Sequence, residues 1–296
     1  MQSSHHSAGL DGPALEAGWR KLGVTGGMTL LVHSSLSSLG YVDGGAATVV
    51  DSLRAVLGPE GTLVVPTFTT DVVADPEPGQ VGVPDPELRR RRDAVPVFGP
   101  ELPSGMGAIA EEVRTRTGAL RSTHPQTSVA ALGARAQEVV ARQALGFSVG
   151  VDSPFGALHE LGAYVLLLGV GHHRNTFLHY AEGLTARPRL KVRRFPMVLP
   201  TGQRDADGQR DADGQRDADG QRDADGQQDA ERVWVEALDV GDDNGRFFPQ
   251  VGAEFEDGAG TAEVRVGEAA CRLLPVRPLV AFAAGRLGEL LAEVDN

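Results

Sequence analysis

The chain has 296 residues, 41% of them hydrophobic and 23% charged, which is enough length and apolar content to bury a large core. A formal charge of −12 argues against a nucleic-acid partner and leaves room for a cationic small molecule, while a single cysteine, Cys271, excludes an intramolecular disulfide and a thiolate metal cluster. No apolar stretch approaches the roughly 18 residues that cross a bilayer, and the first residues lack the charged-then-apolar plan of a signal peptide, so a cytoplasmic protein with no membrane partner is expected.

Residues 1–13 read as a flexible N-terminus and residues 15–22 as a short helix. Residues 28–33 (MTLLVH) form an apolar run of the kind that suits a strand covered on both faces, and it ends in Ser34 and Ser35. An amphipathic helix is predicted over 46–57, with Gly44 and Gly45 before it and Gly58 and Pro59 after it, and residues 62–66 (TLVVP) form a second buried strand. Strand, helix and strand in this order favour a parallel or mixed sheet. Residues 71–103 are rich in proline and charge, with four arginines at 89–92, and read as a long excursion and a candidate lid. Beyond it, helices are predicted over 107–117 and 134–145, with a strand at 128–132 between them.

Residues 165–168 are a third buried strand, followed by a turn bracketed by Gly169 and Gly171. Asn175 or Thr176 can cap a helix whose Phe177, Leu178, Ala181 and Leu184 share one side of a wheel stepping about 100° per residue. His179 falls opposite that cluster, and Glu182 projects within roughly 60° of it, so an imidazole and a carboxylate are expected on one exposed face. Strands are predicted at 191–199 and 232–240 on either side of a tract in which QRDADG occurs four times over 203–226, with a decayed copy at 227–232. The tract contains no apolar residue beyond alanine and cannot offset its ordering entropy by burial, so residues 203–230 are expected to be a disordered hairpin insertion. A last helix covers 278–294. The expected fold is one α/β domain over 14–296, a central mixed, partly parallel sheet flanked by helices.

Several patterns invite chemistry and do not complete it. The pentapeptide GFSVG at 146–150 has the form of a nucleophile elbow, which would make Ser148 a hydrolase nucleophile, but a predicted helix precedes it where an elbow needs a strand. His172, His173 and His179 match no helical pair of zinc ligands, so no metal is expected. The segments with usable groups are His33-Ser34-Ser35-Leu36, the crowded loop Arg121-Ser122-Thr123-His124-Pro125, the His179 helix, and the acidic patch from Asp239 to Asn244. A histidine with a carboxylate on its second nitrogen can deprotonate a nucleophile near neutral pH. Small hydroxyls and free backbone N–H groups after strands suit an oxyanion or a phosphate.

LVHSSL at 31–36, GPEGTLVVPTF at 58–68, RSTHP at 121–125, SPFGALHELGAYVLLLGVG at 153–171 and NTFLHYAE at 175–182 together resemble the aminoglycoside N(3)-acetyltransferases, collinearly from residue 14 to residue 291, with the hexapeptide repeat outside the pattern. The resemblance implies transfer of acetyl from acetyl-coenzyme A to the 3-amino group of the 2-deoxystreptamine ring of an aminoglycoside, which confers antibiotic resistance. It implies His179 as catalytic base in a ternary complex, paired with acidic residues after the hairpin, here Asp239 and, as the second acid, Asp242 or Asp243. The usual acid–spacer–acid order is interrupted by Val240 and Gly241. On the coenzyme side the matching positions are His33, Ser34, Ser35, Leu36, Arg121, Ser122 and Val170. Ser122 or Thr123 would lie near the thioester, and donors around Ser122 to His124 would hold the oxyanion. On the substrate side they are Thr67, Phe68, Asp71, Glu182 and Asp243, and a monomer or homodimer is expected. Two other readings are acetylation of a different amine on the same scaffold and non-catalytic sequestration of a cationic ligand.

Overall fold

The structure is a computed structural model describing residues 9–80, 82, 85–200, 230–241, 243–261 and 263–294. Asp11 caps α1 (Gly12–Leu22) by accepting the Ala14 N–H, and Leu10 bridges to Val42, so residues 9–13 are tied into the fold rather than belonging to a flexible N-terminus. β1 (Thr29–Ser34), α2 (Gly45–Leu57) and β2 (Thr62–Pro66) follow, with β1 and β2 parallel as the order of elements predicts. The proline-rich excursion contains α3 (Pro86–Asp93), begun by Asp85, which accepts the Glu87 N–H, and by Pro86 in the first turn. After α4 (Ala108–Thr115) the short β3 (Leu120–Arg121) pairs with β4 (Val129–Gly133).

The helix predicted over 134–145 is only α5 (Ala136–Val140). Long-range hydrogen bonds take over beyond it: the Ala144 N–H donates to Asp152, the Phe147 N–H to Leu238, and Leu145 O bonds His124, with Phe147 held at φ 47°. α6 (Pro154–Glu160) is capped by Ser153, a Ser-Pro start readable in the sequence. β5 (Tyr164–Leu168) and α7 (Thr176–Gly183) match the expected strand and helix, Asn175 capping α7 through the Phe177 N–H. Leu184, assigned to the apolar stripe, ends the helix half exposed. β6 (Leu190–Pro200) and β7 (Ala230–Val240) pair antiparallel in a separate two-stranded sheet, and the four QRDADG copies between them lie outside the described residues. α8 (Phe248–Ala259), β8 (Val264–Val266), β9 (Ala269–Pro275) and α9 (Val276–Val294) complete the chain.

Seven strands form one mixed sheet in the order β3-β4-β2-β1-β5-β9-β8, with β2, β1 and β5 parallel at its centre and antiparallel pairs outside. Alternation along β1 sends Leu31 to the face covered by α6 to α9 and Leu30 and Val32 to the face covered by α1, α2 and α4. Both faces are sealed, which explains why the parallel strands read as unbroken apolar runs. Each fully buried Leu or Phe here contributes about 1.5–3 kcal/mol. Cys271 sits in the second core as a small apolar group, its thiol pushed up to about 11 by burial. No described helix is long and apolar enough to cross a membrane.

Candidate active site

The connections leaving β1 and β5 diverge, because β1 has β2 on one side and β5, encoded far later, on the other. Crevices of α/β sheets open at such points, beyond the C-terminal ends of the strands. A cleft of about 1230 Å³ lies here. Its floor is His33 to Leu36 after β1 and Gly169 to Gly171 after β5, and one wall is Asn175, Thr176 and His179 of α7. β6 and β7 close another side through Lys191, Arg193 and Asp239, and Phe68, Asp71 and Asp75 stand opposite.

His179 is held by packing: its ring meets Phe248 edge to face, centroids 4.7 Å apart at 77°. Its side chain keeps 27% exposure toward the cleft. Burial, then Arg193 and Lys191, push its pKa down to about 4 against the opposing pull of Asp239, so the ring is neutral at physiological pH and has a lone pair to offer. Glu182 does not share an exposed face with it. The carboxylate is fully buried beneath the ring, Oε2 standing 4.0 Å from Nδ1, because the three-residue step that aligns the two side chains points the second into the packed wall.

Asp239, expected to orient His179, is engaged elsewhere. It is 1% exposed and accepts from Ser148 Oγ at 2.7 Å, from the Val240 N–H at 2.9 Å and from Arg193 Nε, and it acts on His179 through charge. Among the described contacts the carboxylate against His179 is therefore Glu182. Asp242 lies outside the described residues, as does the side chain of Asp243, whose backbone enters the short turn Asp243–Phe247.

The match to the family model described as aminoglycoside 3-N-acetyltransferase runs over residues 31–287, from β1 through this cleft to α9. The chain belongs to the aminoglycoside 3-N-acetyltransferase family. It is 31% identical over 267 residues to the aminoglycoside N(3')-acetyltransferase-like protein YokD of Bacillus subtilis strain 168, covering 89% of this chain and 87% of that one. The crystal structure of YokD superposes with a TM-score of 0.79 at 29% identity over 96% of both chains. Two further structures are alike at TM-score 0.73 and 26% identity: AAC-IIIb in a binary complex with CoASH, over 95% of this chain and 97% of that one, and AAC-VIa bound to sisomicin, over 95% and 98%. The protein is thus an acyltransferase by family.

In this acetyltransferase the expected coenzyme-side residues separate into two groups. His33, Ser34, Ser35, Leu36 and Val170 line the cleft, as do Phe68 and Asp71 on the substrate side. Arg121, Ser122, Thr123 and Thr67 do not. Arg121 donates to the carbonyls of Pro100, Leu102 and Thr67 and stacks on Phe98, tying the excursion to β3. Burial lowers its pKa to about 10, well above neutrality. Thr67 Oγ1 bonds Ser128 Oγ at 3.0 Å, Ser122 Oγ accepts the Val129 N–H at 2.9 Å, and Thr123 is exposed away from the cleft. His124 is a buried brace: Nδ1 accepts the N–H groups of Gln126 and Thr127, each at 3.0 Å, so Nε2 carries the proton and donates to Leu145 O. Oxyanion donors expected around Ser122 to His124 are therefore not at the cleft, which Gln126 and Thr127 reach instead.

Sequence reasoning also passed over Arg174, Lys191 and Arg193. The period-two alternation of β6 puts Lys191 and Arg193 on one face, a readable signal once that face is known to meet His179. Asp75 is buried between Arg92 and Arg194, and Asp239 is bonded to Arg193, so among the described residues Asp71 is the cleft carboxylate without an ion pair. Ser148 is fully buried with its hydroxyl committed to Asp239, which fits a brace and not a nucleophile. Among the described residues no group of three or more His, Cys, Asp or Glu is placed to hold a metal ion.

Proposed function

We propose that the protein transfers acetyl from acetyl-coenzyme A to the 3-amino group of the 2-deoxystreptamine ring of an aminoglycoside, conferring resistance, in a ternary complex with His179 as general base. The observation that carries this reading is a neutral imidazole in the wall of a cleft large enough for two ligands, with Glu182 against its Nδ1. An ammonium has no lone pair, so the amine must react neutral; as its nitrogen bonds to the acetyl carbon it becomes acidic, and a weakly basic imidazole suffices to take the proton. Held together, the two ligands react as in a unimolecular step. The thioester end is assigned to the floor at His33, Ser34, Ser35, Leu36 and Val170, and the aminoglycoside to the side of Phe68 and Asp71, whose carboxylate is open to an ammonium. The similarity to AAC-IIIb with CoASH and AAC-VIa with sisomicin supports this pairing of ligands.

One observation favours the second reading, acetylation of another amine: Arg174, Lys191, Arg193 and Arg194 line the cleft, while Asp75 and Asp239 are already paired. Coenzyme A release measured with deoxystreptamine aminoglycosides and with simple primary amines separates the two. Turnover with the aminoglycosides is expected, and none with any of them overturns the first reading. His179→Ala is expected to abolish protection of cells from the antibiotic; retained protection would assign the protein to sequestration.

A further inference from the structure

His33, the last residue but one of β1, lies in the floor of the cleft with only 5% of its surface exposed. Its Nε2 faces the backbone N–H of Thr176, the first residue of α7, at 3.4 Å. A backbone N–H can only donate, so Nε2 is the unprotonated nitrogen and a neutral ring carries its proton on Nδ1. No described residue accepts from Nδ1, and the atom is not among the sealed polar groups lacking a partner, so it opens on the cleft. A polar side chain this deeply buried costs stability unless its free hydrogen meets an acceptor. Thr176 and His179 lie three residues apart on α7, so the Nε2 anchor of His33 and the base are separated by about one helical turn, roughly 4.5 Å along the axis.

We propose that His33 is a second catalytic residue of this cleft, a neutral imidazole whose Nδ1–H donates to the carbonyl oxygen of the acyl thioester and holds the oxyanion that forms on attack. The inference rests on the thioester transfer proposed above. The amine nitrogen bonds to the carbonyl carbon while the π pair moves onto oxygen, where His33 Nδ1–H meets it; His179 takes the proton from nitrogen. Collapse restores the carbonyl, breaks the carbon–sulfur bond and releases the thiolate, which recovers that proton. His33 keeps its own throughout. Burial and Arg174 hold its pKa down to about 3, so it stays a neutral donor across the working range. An imidazole kept neutral by a helix N-terminus is a known way to polarise a carbonyl.

The test compares His33→Asn, whose amide N–H falls near Nδ1, with His33→Gln, whose amide reaches toward Nε2. The carbonyl stretch of ¹³C-acetyl-coenzyme A bound without amine is read by difference infrared. In the wild type the bound carbonyl is expected to shift to lower frequency than free, in His33→Asn to keep most of that shift, and in His33→Gln to lose it. His33→Gln is expected to lose about 10²- to 10³-fold in kcat, with KM for acetyl-coenzyme A within a few-fold and the pH profile unmoved, and His33→Asn to recover at least tenfold of the loss. An unshifted carbonyl in the wild type, or Asn and Gln variants alike in kcat and band position, overturns the proposal. A shifted carbonyl with no turnover of any aminoglycoside would instead overturn the substrate reading and leave His33 supported. Failure of acetyl-coenzyme A to bind at all overturns both.

Discussion

In its proposed role as base, His179 is weaker than a free histidine because of its surroundings, which also keep it unprotonated. Burial and the cations Arg193 and Lys191 lower its pKa to about 4. The neutral ring is the competent form, so activity from this group is lost only as pH falls through about 4, not near 6.5. We predict that kcat/KM shows no enzyme break between pH 5 and 7. The rise in that range belongs to the substrate amine, so profiles taken with two substrates of different amine pKa should be displaced by that difference. A limb fixed near pH 6.5 for both would contradict the environment described for His179. The same scale explains Ser148. Its hydroxyl is spent fixing one oxygen of Asp239.

The elements that shape the cleft are held by close approaches and by charges buried between them. Gly169, at φ 62° just after β5, lies where a Cβ would overlap Ser38 Oγ. Gly169→Ala is expected to cost about 1–3 kcal/mol in urea unfolding, from backbone strain and overpacking together, and to weaken acetyl-coenzyme A binding because the displaced turn is cleft floor. Unchanged stability would show that the two segments have room to part. The hairpin of β6 and β7 is seated by Asp75, which bonds Arg92 of α3 and Arg194 of β6, while Arg232 donates to the carbonyls of Arg92, Asp93 and Val95 at the end of α3. Burial alone would raise the Asp75 pKa, and the bonds from Arg92 and the Glu77 N–H, with the charges of Arg92 and Arg194, overcome it and keep the carboxyl ionised. Asp75→Asn removes the buried counter-charge of Arg92 and leaves Arg194 with Glu236 at 3.6 Å, so a loss of about 3–5 kcal/mol is expected, read as a drop in the denaturant midpoint.

At the scale of the whole molecule, several histidines are carried inside the fold uncharged. His33 titrates at about 3, and His124 and His179 at about 4, all lowered first by burial, and His159 and His172 are lowered in the same direction. In the unfolded chain each takes a proton near pH 6.5, whereas in the native protein His33, His124 and His179 resist until about 3 to 4 and the other two are shifted in the same direction. The unfolded state therefore binds more protons between about 6.5 and 4, and stability falls as pH falls through that window, each fully neutral histidine contributing up to about 1.4 kcal/mol per pH unit. The expected result is a melting temperature highest near and above pH 7 and well below it at pH 5, measured by calorimetry. A melting temperature level from pH 7 to 5 would mean these rings are hydrated in the native state.

Local pattern was sufficient for much of this protein. Unbroken apolar runs marked β1, β2 and β5, the periodic stripe and Asn175 marked α7, and the collinear segments around His33 and His179 marked the family, since each depends on a residue and its near neighbours. The sequence could place His179 and Glu182 on one side of a helix, but only the packing of α7 decided that one looks into a cleft and the other is buried beneath it. Arg121 and Ser122 looked like ligand-binding groups because their type suits phosphate and oxyanion, and they are braces because Pro100, Leu102 and Val129 approach them first. The bond from Ser148 to Asp239 spans 91 residues, and α5 ends early where distant partners take its backbone groups. Periodicity fixes where a side chain points relative to its own element; what waits opposite is fixed by which elements pack together, and that depends on contacts far apart in the chain.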